Sequence, residues 1–212
     1  MTPGLPSSVV MVETRVDAPE SSAWPEELAA VAGLPDARQA EYITVRDCAR
    51  RALARLGLPP VPLLDDARGA PVWPRGIVGT MTHCRGYRAA AVAQVGDVTA
   101  LGIDAEPAEA LPAGIGRRIT SNAEWARVVS LTSQDADTPW DRLLFSAKES
   151  VYKAWYPATR AGLDFLAVDI TLQPDGQGRV TFLRDLPAEA ADLHWQLGWQ
   201  IEDGIIKTAV WS

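Results

Sequence analysis

The stretch TPWDRLLFSAKESVYKAWYP, residues 138–157, decides the fold of this chain and carries its most informative side chains. Its hydrophobic periodicity predicts a helix that stops at Pro157. The residues that we expect on the helix face directed at the core are Leu144, Ala147, Val151, Ala154 and Trp155. Glu149 and Lys153 then lie on the opposite face, one turn apart, with Lys148 at its edge.

Lysine is rare in this chain, because only three of its 20 basic residues are lysines. Two of the three, Lys148 and Lys153, bracket Glu149 within nine residues, which argues against generic surface charge. The alternative is a solvated i,i+4 ion pair, worth about 0.2–0.5 kcal/mol.

A second acidic motif lies upstream, at the end of the alternating run VTALGIDAE, residues 98–106. In a strand, Asp104 and Glu106 project from the same face, about 7 Å apart. Carboxylates that close repel each other in a partly dehydrated site unless a cation or a proton neutralises them. Oxygen ligands without nearby His or Cys favour a hard ion such as Mg²⁺. The alternative is an exposed acidic strand end that enters a loop at Pro107.

Three motifs in a fixed order resemble those of a known family. GIDAE (102–106) is followed about forty residues later by FSAKESVYK (145–153) and is preceded by TMTHC (80–84). This arrangement resembles the 4'-phosphopantetheinyl transferases, specifically the larger two-lobed type that modifies carrier proteins of fatty-acid, polyketide and nonribosomal-peptide synthesis. The segment WPRGIVGTMTHCRGYRAAAVA, residues 73–93, is similar to actinobacterial members.

The resemblance implies a reaction and a metal. A serine hydroxyl of an apo acyl or peptidyl carrier protein attacks the β-phosphate of coenzyme A, which gives the holo carrier and adenosine 3',5'-bisphosphate. Mg²⁺ is implied at Asp104, Glu106 and Glu149, with the Ala105 carbonyl nearby. The implied catalytic residues are Asp104, Glu149 and Lys153. Glu149 is also the candidate general base, acting directly or through a water, and the sequence leaves these roles open.

The coenzyme A ligands that the resemblance implies are basic. Lys148 and Lys153 are assigned to the pyrophosphate. Arg38 and Arg46, two turns apart on a helix predicted from Asp36 to Leu56, are assigned to the 3'-phosphate. The remaining implied ligands are Arg68 near the adenine and Thr82 and His83 at the 3'-phosphate.

Each of these basic residues has a structural alternative. Solvation is the expectation for Arg50, Arg51 and Arg55 on the same helix, and a lone histidine such as His83 is commonly structural. Asp65 departs from the family pattern, since some relatives are basic there.

The order of elements indicates a structural similarity between the two halves. The resemblance accordingly implies an α+β fold, a pseudo-two-fold pair of lobes (residues 1–106 and 107–212) with the active site in the cleft between them. We expect hairpins that turn at 96–97 (spanning 87–106), at 175–176 and at 203–204. Capping residues are predicted at 36–39 for the first helix and at 121–124 for a helix running through Val129. The segment 111–129, with Arg117 and Arg118, is the expected carrier-docking surface. The stretch through Pro25 has too little periodicity to assign.

The composition of the chain limits its classes of function, its partners and its location. A chain of 212 residues, 47% hydrophobic, can bury a sizeable core, and its net charge of −7 argues against a nucleic-acid binder. No apolar run reaches a membrane span and no signal peptide is evident, so we expect a cytoplasmic protein without a membrane partner, and a monomer. Cys48 and Cys84 are expected to be reduced structural thiols.

Two other functional classes stay open at this level. A cysteine-dependent acyltransferase or hydrolase would use Cys84, although the adjacent His83 points away from it along an extended segment. A non-catalytic module would bind a carrier protein without consuming coenzyme A.

Overall fold

The computed structural model describes residues 4–212; residues 1–3, part of the predicted N-terminal lobe, lie outside this range. The first half contains β1 (Val10–Thr14), α1 (Pro25–Val31), α2 (Asp36–Arg55), β2 (Ile77–Cys84), β3 (Tyr87–Gln94) and β4 (Leu101–Pro107). The second half contains α3 (Ile115–Ile119), α4 (Asn122–Gln134), α5 (Trp140–Thr159), β5 (Val168–Leu172), β6 (Gln177–Phe182), α6 (Ala188–Ala191), β7 (Gln196–Glu202) and β8 (Ile205–Trp211). The predicted α+β class is confirmed.

The strands form two antiparallel sheets, β1-β3-β2 and β4-β8-β7-β6-β5. Helix α2 packs on the first sheet, whereas α5 packs against β4 and β8 of the second. The sheets meet where β2 runs beside β4. There the hydroxyl of Thr80 accepts a hydrogen bond from the Ile103 N–H (3.2 Å), and that of Thr82 accepts one from the Ala105 N–H (3.0 Å). These bonds satisfy edge groups of β4 that would otherwise be unpaired.

Helix α5 is the centre of the larger core. Its predicted inward residues, together with Trp140 and Leu143, are all buried. The close approach of β4 requires Gly102, because a Cβ there would lie 2.0 Å from the Ser150 carbonyl oxygen. The prediction that the helix stops at Pro157 is wrong. The proline lies in the last turn, where it forfeits one backbone hydrogen bond, and the helix ends at Thr159 before Arg160 adopts a left-handed conformation.

One of the three predicted hairpins is wrong. Strand β3 does not pair with β4, because β1 and β2 already occupy both of its edges. The chain instead crosses to the second sheet, where the Thr99 N–H donates to the Ser212 carbonyl (2.7 Å). The real partner of β3 is β2, across a turn at Gly86. The hairpins at 175–176 and 203–204 are confirmed as β5–β6 and β7–β8.

Of the two predicted helix caps, that of α4 is confirmed and that of α2 is wrong. Ser121 and Glu124 form the expected capping box, although α4 continues past Val129 to Gln134. The predicted cap of α2 is wrong, because Asp36 is already helical and its side chain caps nothing, while Gln39 donates to the Leu34 carbonyl. The unassigned N-terminal stretch contains β1 and the start of α1.

The division into lobes at residues 106 and 107 stays a prediction. Strand β4, assigned to the N-terminal lobe, hydrogen-bonds with β8 along residues 101–107 and also packs against β2. It is therefore the strand that links the two halves.

Within residues 4–212, no helix combines the length and the apolar character that crossing a bilayer requires.

Candidate active site

Asp104 is a buried carboxylate on the face of β4 that meets α5, as the strand alternation predicts. Its Oδ1 accepts from the ammonium of Lys153 (2.7 Å) and from the hydroxyl of Thr82 (3.2 Å), and its Oδ2 accepts from the hydroxyl of Ser146 (2.8 Å). Three elements thus converge on one side chain: β2, β4 and α5. Both carboxylate oxygens are occupied by protein donors.

Two further carboxylates lie beside Asp104. Glu106 accepts from the guanidinium of Arg142 (2.8 Å), which also donates to the carbonyls of Glu109 and Ala110. Burial and then the charge of Asp104 raise the pKa of Glu106, and the same two causes raise the pKa of Glu149. No hydrogen-bond partner of the Glu149 carboxylate lies among the described residues. The three acids share a partly dehydrated site in which they repel one another.

This donor set fits a hard divalent cation by its chemistry. All the candidate ligands, Asp104, Glu106, Glu149 and the Ala105 carbonyl, are oxygens, and their mutual repulsion favours an added cation. The Ala105 N–H points toward β2, so its carbonyl lies at the same edge of β4. Within the described part of the chain, however, no three acidic, His or Cys side chains already form a metal cage. Lys153, Thr82 and Ser146 hold Asp104 instead, and Arg142 holds Glu106.

A cavity of about 300 Å³ opens next to these acids, between α2, the loop 65–73, β2 and α5. The predicted ligands that line it are Arg38, Arg46, Arg68, His83, Glu149 and Lys153. Thr82 and Lys148 are not among its lining residues. The structure therefore brings most of the predicted basic residues to one cavity, and Lys153 lies between it and Asp104.

Arg46 is almost inaccessible, with 3% of its surface exposed, and all three of its guanidinium nitrogens are engaged. They donate to the carbonyl of Leu63 (2.6 Å), the carbonyl of Tyr42 (3.2 Å) and the carboxylate of Asp65 (2.7 Å). The guanidinium also stacks on the Tyr42 ring. Arg46 thus reaches the cavity as part of a preformed ion pair.

The expectation that Arg50 is solvated is wrong, whereas Arg51 and Arg55 are exposed as expected. Arg50 is buried and pairs with Glu27 (2.6 Å), a carboxylate with no exposed surface that also accepts from the Leu63 N–H (2.9 Å). This buried pair links α1 to α2 and holds Leu63, which lies just before the loop 65–73 that borders the cavity.

His83 lies at the rim of the cavity with Arg38 and Glu41. Its Nε2 contacts the Arg38 guanidinium and lies 3.4 Å from the Glu41 carboxylate. Burial, followed by the positive charge of Arg38, lowers the pKa of His83 to about 4. The imidazole is therefore neutral at pH 7, with Nε2 as an acceptor toward Arg38.

Lys148 lies next to Glu149 on α5 but is not among the residues that line the basic cavity. Its ammonium is buried, pairs with Glu124 of α4 (2.9 Å) and donates to the carbonyls of Phe165 (2.7 Å) and Val168 (2.6 Å). Burial lowers the pKa of Lys148, against the opposing effect of Glu124. In this structure Lys148 braces α5 against α4 and the start of β5.

A second cavity, of about 230 Å³, adjoins the first on the other side of Glu149. It is lined by Lys148, Glu149, Tyr152, Leu163, Asp164, Phe165 and Val168, so that it carries charged side chains of both signs but no arginine. Glu149 and Tyr152 line both cavities. One elongated ligand can thus pass the Glu149 carboxylate with an anionic part in the arginine-lined cavity on one side and a second part in the other cavity.

The cysteines do not form a nucleophilic site. Both are free, as predicted. Burial, followed by the charges of Glu106 and Asp104, raises the pKa of Cys84 to about 11, so the thiol stays protonated at neutral pH. Cys84 packs against the core between the sheets, whereas His83 lines the cavity. This geometry argues against a cysteine-dependent enzyme.

Sequence analysis missed Arg142 and Ser146 as site residues. Both lie in the stretch 138–157, where polar residues recur at helical spacing on one side of α5: Arg142, Ser146, Glu149 and Lys153. A helical projection of the polar residues would have found them. The contribution of Glu41 has no comparable signal, since its contacts depend on tertiary packing.

Comparison with known proteins agrees with this geometry. The family model described as the 4'-phosphopantetheinyl transferase N-terminal domain matches residues 25–93, and that of the 4'-phosphopantetheinyl transferase superfamily matches residues 100–209. The chain is 46% identical to the 4'-phosphopantetheinyl transferase Svp of Streptomyces mobaraensis, over 97% of this chain and 86% of the relative. It is 40% identical to PptT of Mycobacterium tuberculosis (92% and 88% covered) and 41% identical to Npt of Nocardia iowensis (97% and 96% covered).

Proposed function

The chain belongs to the 4'-phosphopantetheinyl transferase family, and we propose that Asp104, Glu149 and Lys153 form the centre at which it performs the family reaction. The enzyme transfers the 4'-phosphopantetheine arm of coenzyme A to a carrier protein. The serine hydroxyl attacks the β-phosphorus, the bond to the adenosine 3',5'-bisphosphate breaks, and the hydroxyl proton passes to a base.

The two adjoining cavities suit the two ends of coenzyme A. The basic cavity, with Arg38, Arg46 and Arg68, matches the phosphorylated adenosine end. The second cavity, whose lining includes Leu163 and Phe165 and no arginine, is proposed to take the pantetheine arm. This orientation places the pyrophosphate, which joins the two ends, near Glu149.

The residues of this centre have separable roles in the proposed mechanism. Lys153 lies close enough to Asp104 to exchange that carboxylate for a pyrophosphate oxygen and to balance the charge that develops on the leaving group. Glu149 has a pKa raised by burial and by neighbouring carboxylates, which suits a general base. Lys148 is proposed to act on the pyrophosphate only indirectly, by fixing α5 against α4.

Mg²⁺ is the proposed metal, held by Asp104, Glu106 and Glu149, and when bound it would neutralise phosphate charge. Arg142 holds Glu106 in the carboxylate cluster and ties the following loop to α5 through two carbonyls. Ser146 and Thr82 fix the orientation of the Asp104 carboxylate.

The segment 111–129 is proposed to dock the carrier, because it follows the acidic strand directly. It forms α3 and the first half of α4, where Arg117 donates to the Asn122 side chain (3.1 Å) and lies over the Trp125 ring. Arg118 is exposed on the same short helix. An acidic carrier surface would meet these two arginines. A cytoplasmic location and a monomeric state stay predictions.

The observation that carries this assignment is that Glu149 lines both cavities and lies beside Asp104. The test is the intact mass of an apo carrier protein incubated with the enzyme, coenzyme A and Mg²⁺, where a gain of roughly 340 Da is expected on serine. A carrier that binds the enzyme without any mass gain would instead support the non-catalytic module.

A further inference from the structure

Of the two carboxylates that line the basic cavity within residues 4–212, Glu149 and Asp65, only Asp65 forms an ion pair. It belongs to the loop after α2 and its side chain is 31% exposed, whereas that of its partner Arg46 is 3% exposed. An anion that enters the cavity therefore meets the charge of Asp65 before it can reach Arg46.

The pairing reduces what Arg46 can offer to a new ligand. Its bonds to Asp65 and to two carbonyls use three of its five N–H donors, and the Asp65 carboxylate offsets the positive charge that a phosphate would otherwise meet. Partial desolvation raises the pKa of Asp65 although Arg46 opposes that shift, so the arginine does not fully compensate the carboxylate's loss of hydration.

We propose that Asp65 is a specificity-determining residue that weakens recognition of the 3'-phosphate of coenzyme A, by occupying Arg46 and repelling the incoming dianion. This inference rests on the proposed function, since it takes the phosphorylated adenosine end to lie in the basic cavity. Its consequence is that the enzyme distinguishes coenzyme A from 3'-dephospho-coenzyme A less sharply than its arginines alone would allow.

A purely structural role for Asp65 makes the opposite prediction. If the carboxylate serves only to hold Arg46 and the loop in place, its loss lowers the affinity for coenzyme A. Asp65→Asn separates the two roles, because the amide keeps the size and one acceptor oxygen, removes the charge and replaces the second oxygen with an NH₂ group.

The test is calorimetric titration of coenzyme A and of 3'-dephospho-coenzyme A into the wild-type enzyme and Asp65→Asn. We expect Asp65→Asn to bind coenzyme A about threefold to tenfold more tightly and the dephospho form with unchanged affinity. Asp47→Asn is the matched control, since Asp47 pairs with Arg51 (3.5 Å) outside the cavity and should leave both affinities unchanged. Asp65→Ser provides a second neutral side chain if the asparagine variant unfolds.

The gain should become smaller when Asp65→Asn is combined with Arg46→Gln, because only the relief of the repulsion by Asp65 then remains. Unchanged or weaker binding of coenzyme A by folded Asp65→Asn overturns the inference, and so does an equal gain for both cofactors. If the wild-type enzyme modifies a carrier but Asp65→Asn shows no gain, only this inference fails. If the wild-type enzyme neither binds coenzyme A nor modifies a carrier, the proposed function itself fails.

Discussion

The ammonium of Lys153 lies 2.7 Å from Oδ1 of Asp104, so that one of the chain's three lysines occupies the carboxylate to which the metal is assigned. The pair spans β4 and α5, and Lys153 lines the basic cavity. Because Glu106 and Glu149 add negative charge beside it, Lys153 supplies part of the neutralisation that a bound cation would otherwise provide.

Removing this lysine should therefore improve metal binding in the absence of coenzyme A. We expect Lys153→Gln to bind Mn²⁺ severalfold more tightly than the wild-type enzyme, measured from the free-ion signal in electron paramagnetic resonance, while carrier modification falls by about 10²-fold or more. Arg160→Gln, which removes a charge from the exposed pair with Asp66, is the control. Weaker or unchanged Mn²⁺ binding by Lys153→Gln would show that the lysine does not compete for the acidic site.

Lys148 should contribute to stability and not directly to phosphate binding. Its pair with Glu124 is buried on both sides, and breaking such a pair costs about 3–5 kcal/mol, which for a chain of this size lowers the Tm by roughly 6–20 °C. We expect this loss for Lys148→Met in thermal unfolding, with the KM for coenzyme A unchanged well below the Tm.

The double variant Lys148→Met/Glu124→Gln should recover part of that stability, because it no longer buries an unpaired carboxylate. A Lys148→Met enzyme with wild-type Tm and a strongly raised KM for coenzyme A would place the ammonium on the phosphates after all.

A feature of the fold or of the candidate site could be predicted from the sequence when it depends on residues close together in the chain. The inward face of α5, the shared face of Asp104 and Glu106, and the Asp-Gly hairpins follow from periodicity and turn chemistry within a few residues. The pairing of β4 was not predictable in this way, because it depends on both edges of β3 being occupied, one of them by the distant strand β1. The contacts of the Lys148 ammonium were not predictable for the same reason, since Glu124 belongs to another part of the chain.

The stability of the enzyme should fall on acidification through the titration of His83. Its folded pKa of about 4 lies below its ordinary value of 6.5, so the unfolded chain binds more protons between these two pH values and stability decreases as the pH is lowered through that window. The free energy of unfolding, measured by chemical denaturation, should fall between pH 7 and pH 4. We expect that fall to be about 1–2 kcal/mol smaller in His83→Gln than in the wild-type enzyme. His194→Gln, which changes the exposed second histidine, should keep the wild-type pH profile.

The docking proposal is tested by reversing charge on α3. Arg117→Glu/Arg118→Glu should raise the KM for the carrier protein severalfold and leave that for coenzyme A unchanged, because both side chains lie outside the two cofactor cavities. The charge-matched control is Arg179→Glu/Arg184→Glu, at exposed positions on and after β6. Equal carrier KM values for both double variants at low salt would remove α3 from the docking surface.

The most direct test of the proposed centre is single-turnover modification of an apo carrier, followed by intact mass, with the wild-type enzyme, Asp104→Asn and the control Asp169→Asn. Asp169 pairs with Arg127 (2.6 Å) and lines neither cavity. We expect a gain of roughly 340 Da with the wild-type enzyme and with Asp169→Asn. With Asp104→Asn, we expect modification at least about 10³-fold slower in a protein that still unfolds cooperatively. Transfer by Asp104→Asn at the wild-type rate would contradict the proposal that Asp104 belongs to the catalytic centre.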